Sequence, residues 1–338
     1  MNADRLARFK VQDLCTGNEP MRRCLKLAAL AAETDVPVLI LGETGTGKTL
    51  LAQAIHNSSG RRSNKFISFN ASAMSDTLLE SQLFGHERGA FTGAQKTVKG
   101  KFELADSGTL FLDEIADMSP LAQAKILRAV EYGEFERLGS ERMLRANVRI
   151  ISATNTSLLE RIRQGRFRED LYHRLAGLVL LVPPLRQRSE DLPGLIAAEL
   201  DTQARAVGKK ITSIHPLAME RLLHYRWPGN LRELHHTIRT VLLFCDQEQV
   251  QPEHILFQPD LSTAEAGAGK AAENGAFGNA VSPFPALSNG DDFSLNGAVR
   301  RHINAVYEHS GHNQRQAARL LQISRARLVR QLRRTETR

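Results

Sequence analysis

The chain has 338 residues, 42% of them hydrophobic, and its 45 lysines and arginines against 37 aspartates and glutamates give a formal net charge of +8. That length supports two or three domains, each with its own core. No apolar run approaches the roughly 20 residues that span a bilayer, residues 1–10 lack the apolar centre of a signal peptide, and Cys15, Cys24 and Cys245 have no metal or redox spacing, so a protein of the reducing cytoplasm without a membrane partner is expected.

Residues 36–41 form an apolar run that reads as a strand, and residues 50–55 have helical composition. Between them Gly42, Glu43, Thr44, Gly45, Thr46, Gly47, Lys48 and Thr49 fit G-x-x-x-x-G-K-[ST], and strand–loop–helix is the context that this motif requires. The glycines let backbone N–H groups close around phosphates, which also face the positive end of the following helix. Lys48 can reach the β- and γ-phosphates of ATP, and the Thr49 hydroxyl can ligate Mg²⁺.

A second apolar run occupies 66–70, and the segment 85–94 follows. It reads Gly85, His86, Glu87, Arg88, Gly89, Ala90, Phe91, Thr92, Gly93, Ala94. Glycine on both sides of Phe91 and Thr92 lets the backbone turn back without a Cβ penalty. An aromatic held at such a tip is costly in water unless a partner buries it; the plainer alternative is a turn whose Phe91 folds into the core. Residues 109–114 form a third run ending in Asp113 and Glu114. The end of a strand in a parallel sheet is where ligands collect, so Asp113 can hold Mg²⁺ and Glu114 can act as general base on water. Alternatively Glu114 is an acidic residue ahead of a helix, because 121–131 has helical composition.

Further apolar runs at 149–153 and 178–182 complete a set of five. Several are apolar almost throughout, as strands buried on both faces must be, which predicts an α/β fold with a parallel sheet covered by helices. From 185 to 257 the pattern is helical without strands, and 258–292 is rich in Ala, Gly, Asn, Ser and Pro, the composition of a flexible tether. The last 40 residues hold ten arginines, no lysine and two glutamates, which accounts for the whole net charge. They are patterned as helices: one over 295–309, a short one beginning at Asn313, and one capped by Ser324 and running over 325–333. A solvated basic helix face is the alternative to DNA binding there.

The phosphate loop, the Asp113–Glu114 pair and the segment 89–94 occur in the order of the AAA+ module of sigma-54-dependent transcription activators, the bacterial enhancer-binding proteins. The chain also resembles them at 84–87, 153–155, 167–175 and 227–234, so the resemblance runs from about residue 14 to 257 and resumes at the C-terminus. It implies roles for particular residues. Asn70 matches the switch residue that holds the catalytic Glu114; Thr154 and Asn155 match the sensor of the γ-phosphate. Arg168 and Arg174 match fingers presented to a neighbouring subunit's ATP, and Arg232 matches the second sensor, in the lid. A planar guanidinium suits the charge of a transferring phosphoryl group. Gly89, Ala90, Phe91, Thr92, Gly93 and Ala94 match the loop that contacts sigma-54.

The C-terminal spacing resembles a Fis-type helix-turn-helix, an all-α domain. Its second helix would enter the major groove with Arg325 and Arg327 toward the bases. Arg315, Arg319, Arg330, Arg333 and Arg334 would contact phosphates, and Ser324 would cap the helix. Gln322 stands where a glycine is common and Val329 where a tyrosine is frequent. The domains expected are a short extension at 1–13, an AAA+ α/β subdomain at 14–184, a helical lid at 185–257, the tether at 258–292 and the DNA-binding domain at 293–338.

The expected function is ATP-dependent activation of sigma-54 RNA polymerase by a protein that binds upstream double-stranded DNA and assembles into a ring, in the family a hexamer. Only some thirteen residues precede the AAA+ module, so control by a separate regulatory protein or by expression level is expected. Two other readings are a regulator acting by DNA occupancy alone and an AAA+ loader or unfoldase. The first expects decay of the loop, the fingers or the phosphate loop, and the second expects pore aromatics in another context.

Overall fold

The computed structural model describes residues 9–72 and 74–257, together with Tyr307, Asn313, Gln314 and Ala318. The chain divides into two compact units, 1–265 and 266–338, and the account below concerns the first. The tether and the helix-turn-helix expected after residue 257, with Arg315, Arg319, Ser324, Arg325, Arg327, Arg330, Arg333 and Arg334, lie outside the described residues.

All five predicted strands form and pair in parallel. They are β1 (Val38–Leu41), β2 (Phe66–Asn70), β5 (Thr109–Asp113), β8 (Arg149–Thr154) and β9 (Leu178–Leu181), ordered β2-β5-β8-β1-β9. β1 begins at Val38 and not at Val36, because Pro37 has no N–H to give to a ladder. Helices cover both faces, as a parallel sheet requires. On one face α1 (Glu19–Ala32) and α2 (Lys48–Asn57) pack Ala28, Leu51 and Ile55 against Val38, Ile40, Phe111 and Ile151. On the other, α3 (Asp76–Phe84) and α5 (Pro120–Tyr132) pack Leu79, Leu83, Ala122 and Ile126 against Leu39, Leu110, Leu112 and Ile150, with Leu171 and Leu175 of α7 (Glu169–Leu175). Leu39 and Ile40 point to opposite faces, which is the period-2 alternation of a strand.

Local signals set the helix ends. Asn18 caps α1 by accepting from the Met21 N–H at 3.1 Å, and Ser119 caps α5 from the Ala122 N–H at 3.3 Å ahead of Pro120. Gly133, at φ +68°, ends α5 in the left-handed region. The helix expected at 121–131 is therefore found one residue longer at each end. Between α3 and α5 lie β3 (Gly85–His86) and β4 (Val98–Lys99), paired antiparallel, and α4 (Lys101–Leu104). The hairpin of β6 (Glu134–Glu136) and β7 (Met143–Arg145) follows, with α6 (Leu158–Arg163) after β8. Glu114 opens a single 3-10 turn, Ile115–Asp117, and does not lead directly into the helix.

The lid consists of α8 (Leu192–Val207), α9 (Pro216–His224) and α10 (Asn230–Phe244) around Trp227, Ile196, Leu222 and Ile238. It was expected to lack strands, but β10 (Ser213–Ile214) and β11 (Gln249–Val250) pair in parallel. Two residues each are too few to show a period of two in the sequence. The hinge is pinned by Asp191, whose carboxylate accepts from the Thr16 hydroxyl at 2.6 Å, the Gly17 N–H at 2.7 Å and Arg188 Nε at 2.9 Å. No helix among the described residues is long and apolar enough to cross a membrane.

Candidate active site

The phosphate loop turns where its glycines permit it. Gly45 at φ +80° and Gly47 at φ +98° occupy the left-handed region, and a Cβ on Gly45 would stand 2.4 Å from the carbonyl oxygen of Gly229. The buried Lys48 opens α2, and its Nζ donates to the carbonyls of Gly42 at 2.8 Å and Glu43 at 3.2 Å. Burial pushes the Lys48 pKa down, while Glu114 and Asp113 pull it back up. Thr49 follows on the exposed first turn.

Gly45, Gly47, Lys48, Thr49, Asp113, Glu114 and Arg232 line one cavity of about 710 Å³, walled by Phe9 and Leu14 on one side and by Leu195, Leu231 and Leu234 of the lid on the other. An apolar pocket with a few convergent polar groups is the usual form of a ligand site. Backbone N–H groups and an ammonium at a helix N-terminus fit a polyphosphate. The Thr49 hydroxyl and Asp113 carboxylate are the hard oxygen donors that Mg²⁺ takes.

Asp113 Oδ1 accepts from the Glu114 N–H at 3.0 Å. Glu114 itself sits at φ +52°, a conformation uncommon outside glycine, and its Oε2 accepts from the Asn155 N–H at 3.4 Å. Asn155 in turn donates through Nδ2 to the Thr44 hydroxyl at 2.8 Å, which brings the expected sensor onto the phosphate loop. Thr154 differs: it is fully buried, and its hydroxyl accepts from the Thr156 N–H at 3.1 Å. Its side chain thus serves the turn after β8. Asn70 stands beside Asp113 in the β2–β5 register. Its Oδ1 accepts from the N–H and hydroxyl of Ser72 at 2.8 and 2.7 Å, and no hydrogen bond joins it to Glu114.

Arg168 and Arg174 lie outside this cavity, exposed at the two ends of α7. Arg168 pairs with Asp170 at 2.6 Å and Arg174 pairs with Glu131. The exposed Arg232 is on the cavity wall, in the first turn of α10.

The segment 89–94 closes on itself. The Gly89 N–H donates to the Ala94 carbonyl at 2.9 Å and the Ala94 N–H to the Phe91 carbonyl at 3.0 Å, with Gly89 at φ +85° and Gly93 at φ +103°. Phe91 is half-buried, its ring 5.0 Å from that of His86 in an edge contact, and Thr92 is exposed. Phe91 thus joins neither the core nor the solvent fully. Sequence reasoning missed what holds the base of this loop. Leu138 of the β6–β7 connection donates its N–H to the Gly85 carbonyl and accepts from the Glu87 N–H, both at 3.0 Å. Arg137 bridges Glu87 at 2.8 Å and Glu103 at 2.7 Å. Also missed was the link from the phosphate loop to the lid, where Arg186 holds Glu43 through two bonds of 2.7 and 2.6 Å. That contact holds the Glu43 carboxyl below its ordinary pKa.

Comparison with known proteins matches residues 14–181 to the Sigma-54 interaction domain and 186–273 to the AAA+ ATPase lid domain. The transcriptional regulatory protein ZraR of Klebsiella oxytoca is 41% identical over 320 residues, covering 94% of this chain and 68% of ZraR. The Nif-specific regulatory protein of Azotobacter vinelandii is 47% identical over 232 residues, 68% of this chain and 44% of that protein. Crystal structures of NtrX from Brucella abortus in complex with ADP and with ATP superimpose with TM-scores of 0.70 and 0.69 at 30% identity, over 98% of this chain and 71% and 70% of theirs. The chain therefore spans about two thirds of ZraR and of NtrX, and under half of the Azotobacter regulator.

Proposed function

The chain belongs to the sigma-54-dependent transcription activators, a family of AAA+ ATPases, and from that footing we propose that it couples ATP hydrolysis to remodelling of sigma-54 RNA polymerase through Phe91 and Thr92. In this reading residues 14–184 and 185–257 form the motor, 258–292 is a tether, and 293–338 bind DNA upstream of a promoter in the cytoplasm. The motors assemble as a ring, a hexamer when active.

The observation that carries the reading is convergence. Lys48, Thr49, Asp113, Glu114 and Arg232 line one cavity, and β2, which ends beside Asp113, is followed by α3 and then by the glycine-flanked loop. Lys48 and the loop N–H groups would bind the phosphates of ATP, and Glu114 would take a proton from the attacking water. Mg²⁺ bound between Thr49 and Asp113 would supply positive charge to the transferring phosphoryl group. Asn155, joined to Thr44 and Glu114, would report the γ-phosphate, and Asn70 would hold Glu114 on exchanging its Ser72 partner. Arg168 and Arg174 would exchange their own carboxylate partners for a neighbour's nucleotide. Phe91 would leave His86 for a partner that buries it, and the loop could couple to hydrolysis only by binding that partner differently in the two nucleotide states.

The test is sigma-54 binding trapped with an ADP–metal-fluoride mimic, comparing wild type with Thr92→Ala. Binding that depends on the mimic and is lost in the variant, with ATPase retained, is the expected result. Absence of binding in every nucleotide state, with DNA binding intact, would favour a regulator acting by occupancy.

A further inference from the structure

Four successive carbonyls of the phosphate loop are engaged in two different ways. Those of Gly42 and Glu43 accept from Lys48. The next two accept from the lid: Thr44 from the Asn230 side-chain Nδ2 at 3.0 Å, and Gly45 from the Leu231 N–H at 2.9 Å. In a trans peptide the carbonyl and the N–H of the next residue lie in one plane and point in opposite directions. Fixing the Thr44 and Gly45 carbonyls toward the lid therefore turns the N–H groups of Gly45 and Thr46 away from it, and the Thr46 N–H there donates to the Glu43 carbonyl at 3.3 Å. The Gly45 N–H belongs to the set that a phosphate loop offers to an anion.

Asn230 is built for this position. It is fully buried and holds φ +52°, a left-handed backbone that asparagine tolerates better than most residues. Its Oδ1 accepts from the hinge N–H of Leu185 at 2.7 Å, and Nδ2 reaches Glu43 Oε2 at 3.3 Å besides Thr44. One amide thus ties together the hinge, the loop and the start of α10. Glu43 is held from its other side by Arg186, so the lid grips the loop through both a side chain and a carbonyl. An asparagine that only ended a turn would need the backbone conformation and neither of these bonds.

We propose that Asn230 is a positioning residue of the ATPase, which sets the direction of the phosphate-loop N–H groups from the lid. The proposal rests on the chain hydrolysing ATP as described above. Asn230 does not line the cavity; it acts through the Thr44 carbonyl. Lid position and nucleotide affinity are then one variable, because the lid cannot swing away without releasing two peptide planes of the loop.

The test compares wild type with Asn230→Asp. Aspartate keeps the left-handed backbone and the acceptor for Leu185, but cannot donate to Thr44 and stands against the Glu43 carboxylate. The expected result is a KM for ATP and a Kd for ADP raised about tenfold, with kcat within about twofold, the signature of lost ground-state binding. A purely structural role would lower the active fraction, and so kcat, at unchanged KM. Wild-type KM and Kd in a folded Asn230→Asp variant would overturn the proposal. Should that variant not fold, hydrogen exchange in the wild type decides. Amides at 44–47 and 229–233 are expected to slow by a common factor when ADP is added, and protection of the loop alone would overturn it. Absence of ATPase activity in the wild type would sink the functional reading, whatever the variant does.

Discussion

Two cysteines show how burial alone separates chemically identical groups. Cys24 faces the core on α1, where burial pushes its thiol pKa up to about 11, against a lowering pull from Arg188. Cys15 is exposed just before that helix. The thiolate is the nucleophile, so at pH 8 a pKa of about 11 leaves roughly one Cys24 in a thousand reactive. Iodoacetamide at pH 8 is expected to label Cys15 in the native protein and to reach Cys24 only after unfolding, as read by peptide mass spectrometry. Equal labelling of both would mean that α1 does not pack as described. The same contrast explains which site residues were legible. The place of Lys48 and Thr49 on one cavity was legible because it depends on spacing within one loop. The partners of Glu43, Asn70 and Arg137 were not, because each is chosen by the tertiary fold from residues tens of positions away or by a competing local hydroxyl: Glu43 by Arg186, Arg137 by Glu87 and Glu103, and Asn70 by Ser72.

Among elements, the lid depends most on one side chain. Trp227 is the chain's only tryptophan. It is fully buried, donates from Nε1 to the Leu222 carbonyl at 3.0 Å, and meets Tyr225 and Phe257 edge-on at 5.2 and 5.9 Å. Replacing it with alanine opens a cavity and strands a carbonyl, at a cost of about 3–5 kcal/mol. Trp227→Ala is therefore expected to lower the urea midpoint followed by circular dichroism, with the lid unfolding before the sheet. A single transition at the wild-type midpoint would show that the lid does not rely on this residue. The five parallel strands were visible beforehand because burial on both faces makes each a continuous apolar run. The pairs β3–β4, β6–β7 and β10–β11 were not, since strands of two or three residues carry no period. They exist because neighbouring backbone needs partners: the carbonyl of Gly85 takes the Leu138 N–H, a bond that neither segment's sequence announces.

For the whole molecule, the question is whether one copy can complete its own site. Arg168 and Arg174 do not line the cavity that holds Lys48, Thr49, Asp113 and Glu114; both are exposed and paired within their own chain. Exposed pairs of this kind are worth little, so exchanging Asp170 for a phosphoryl group costs Arg168 little. If a neighbour supplies the finger, a complete site needs Lys48 from one copy and Arg168 from the next. Lys48→Ala and Arg168→Ala are then each expected to be nearly inactive alone, by about 10³-fold or more. Mixed in equal amounts and allowed to reassemble, they restore a site wherever an Arg168→Ala copy offers its intact Lys48 to the Arg168 of a Lys48→Ala copy. Random assembly makes such pairings about a quarter of all interfaces, since each of the two choices is even around a closed heterologous ring. ATP hydrolysis by the mixture should therefore rise toward about a quarter of the wild-type rate. Activity no greater than the sum of the separate preparations would place the finger within the same copy or deny Arg168 the role. Substituting Arg174→Ala for Arg168→Ala in the same mixture would then assign the two arginines separately, because only a residue that crosses the interface can be complemented by another copy.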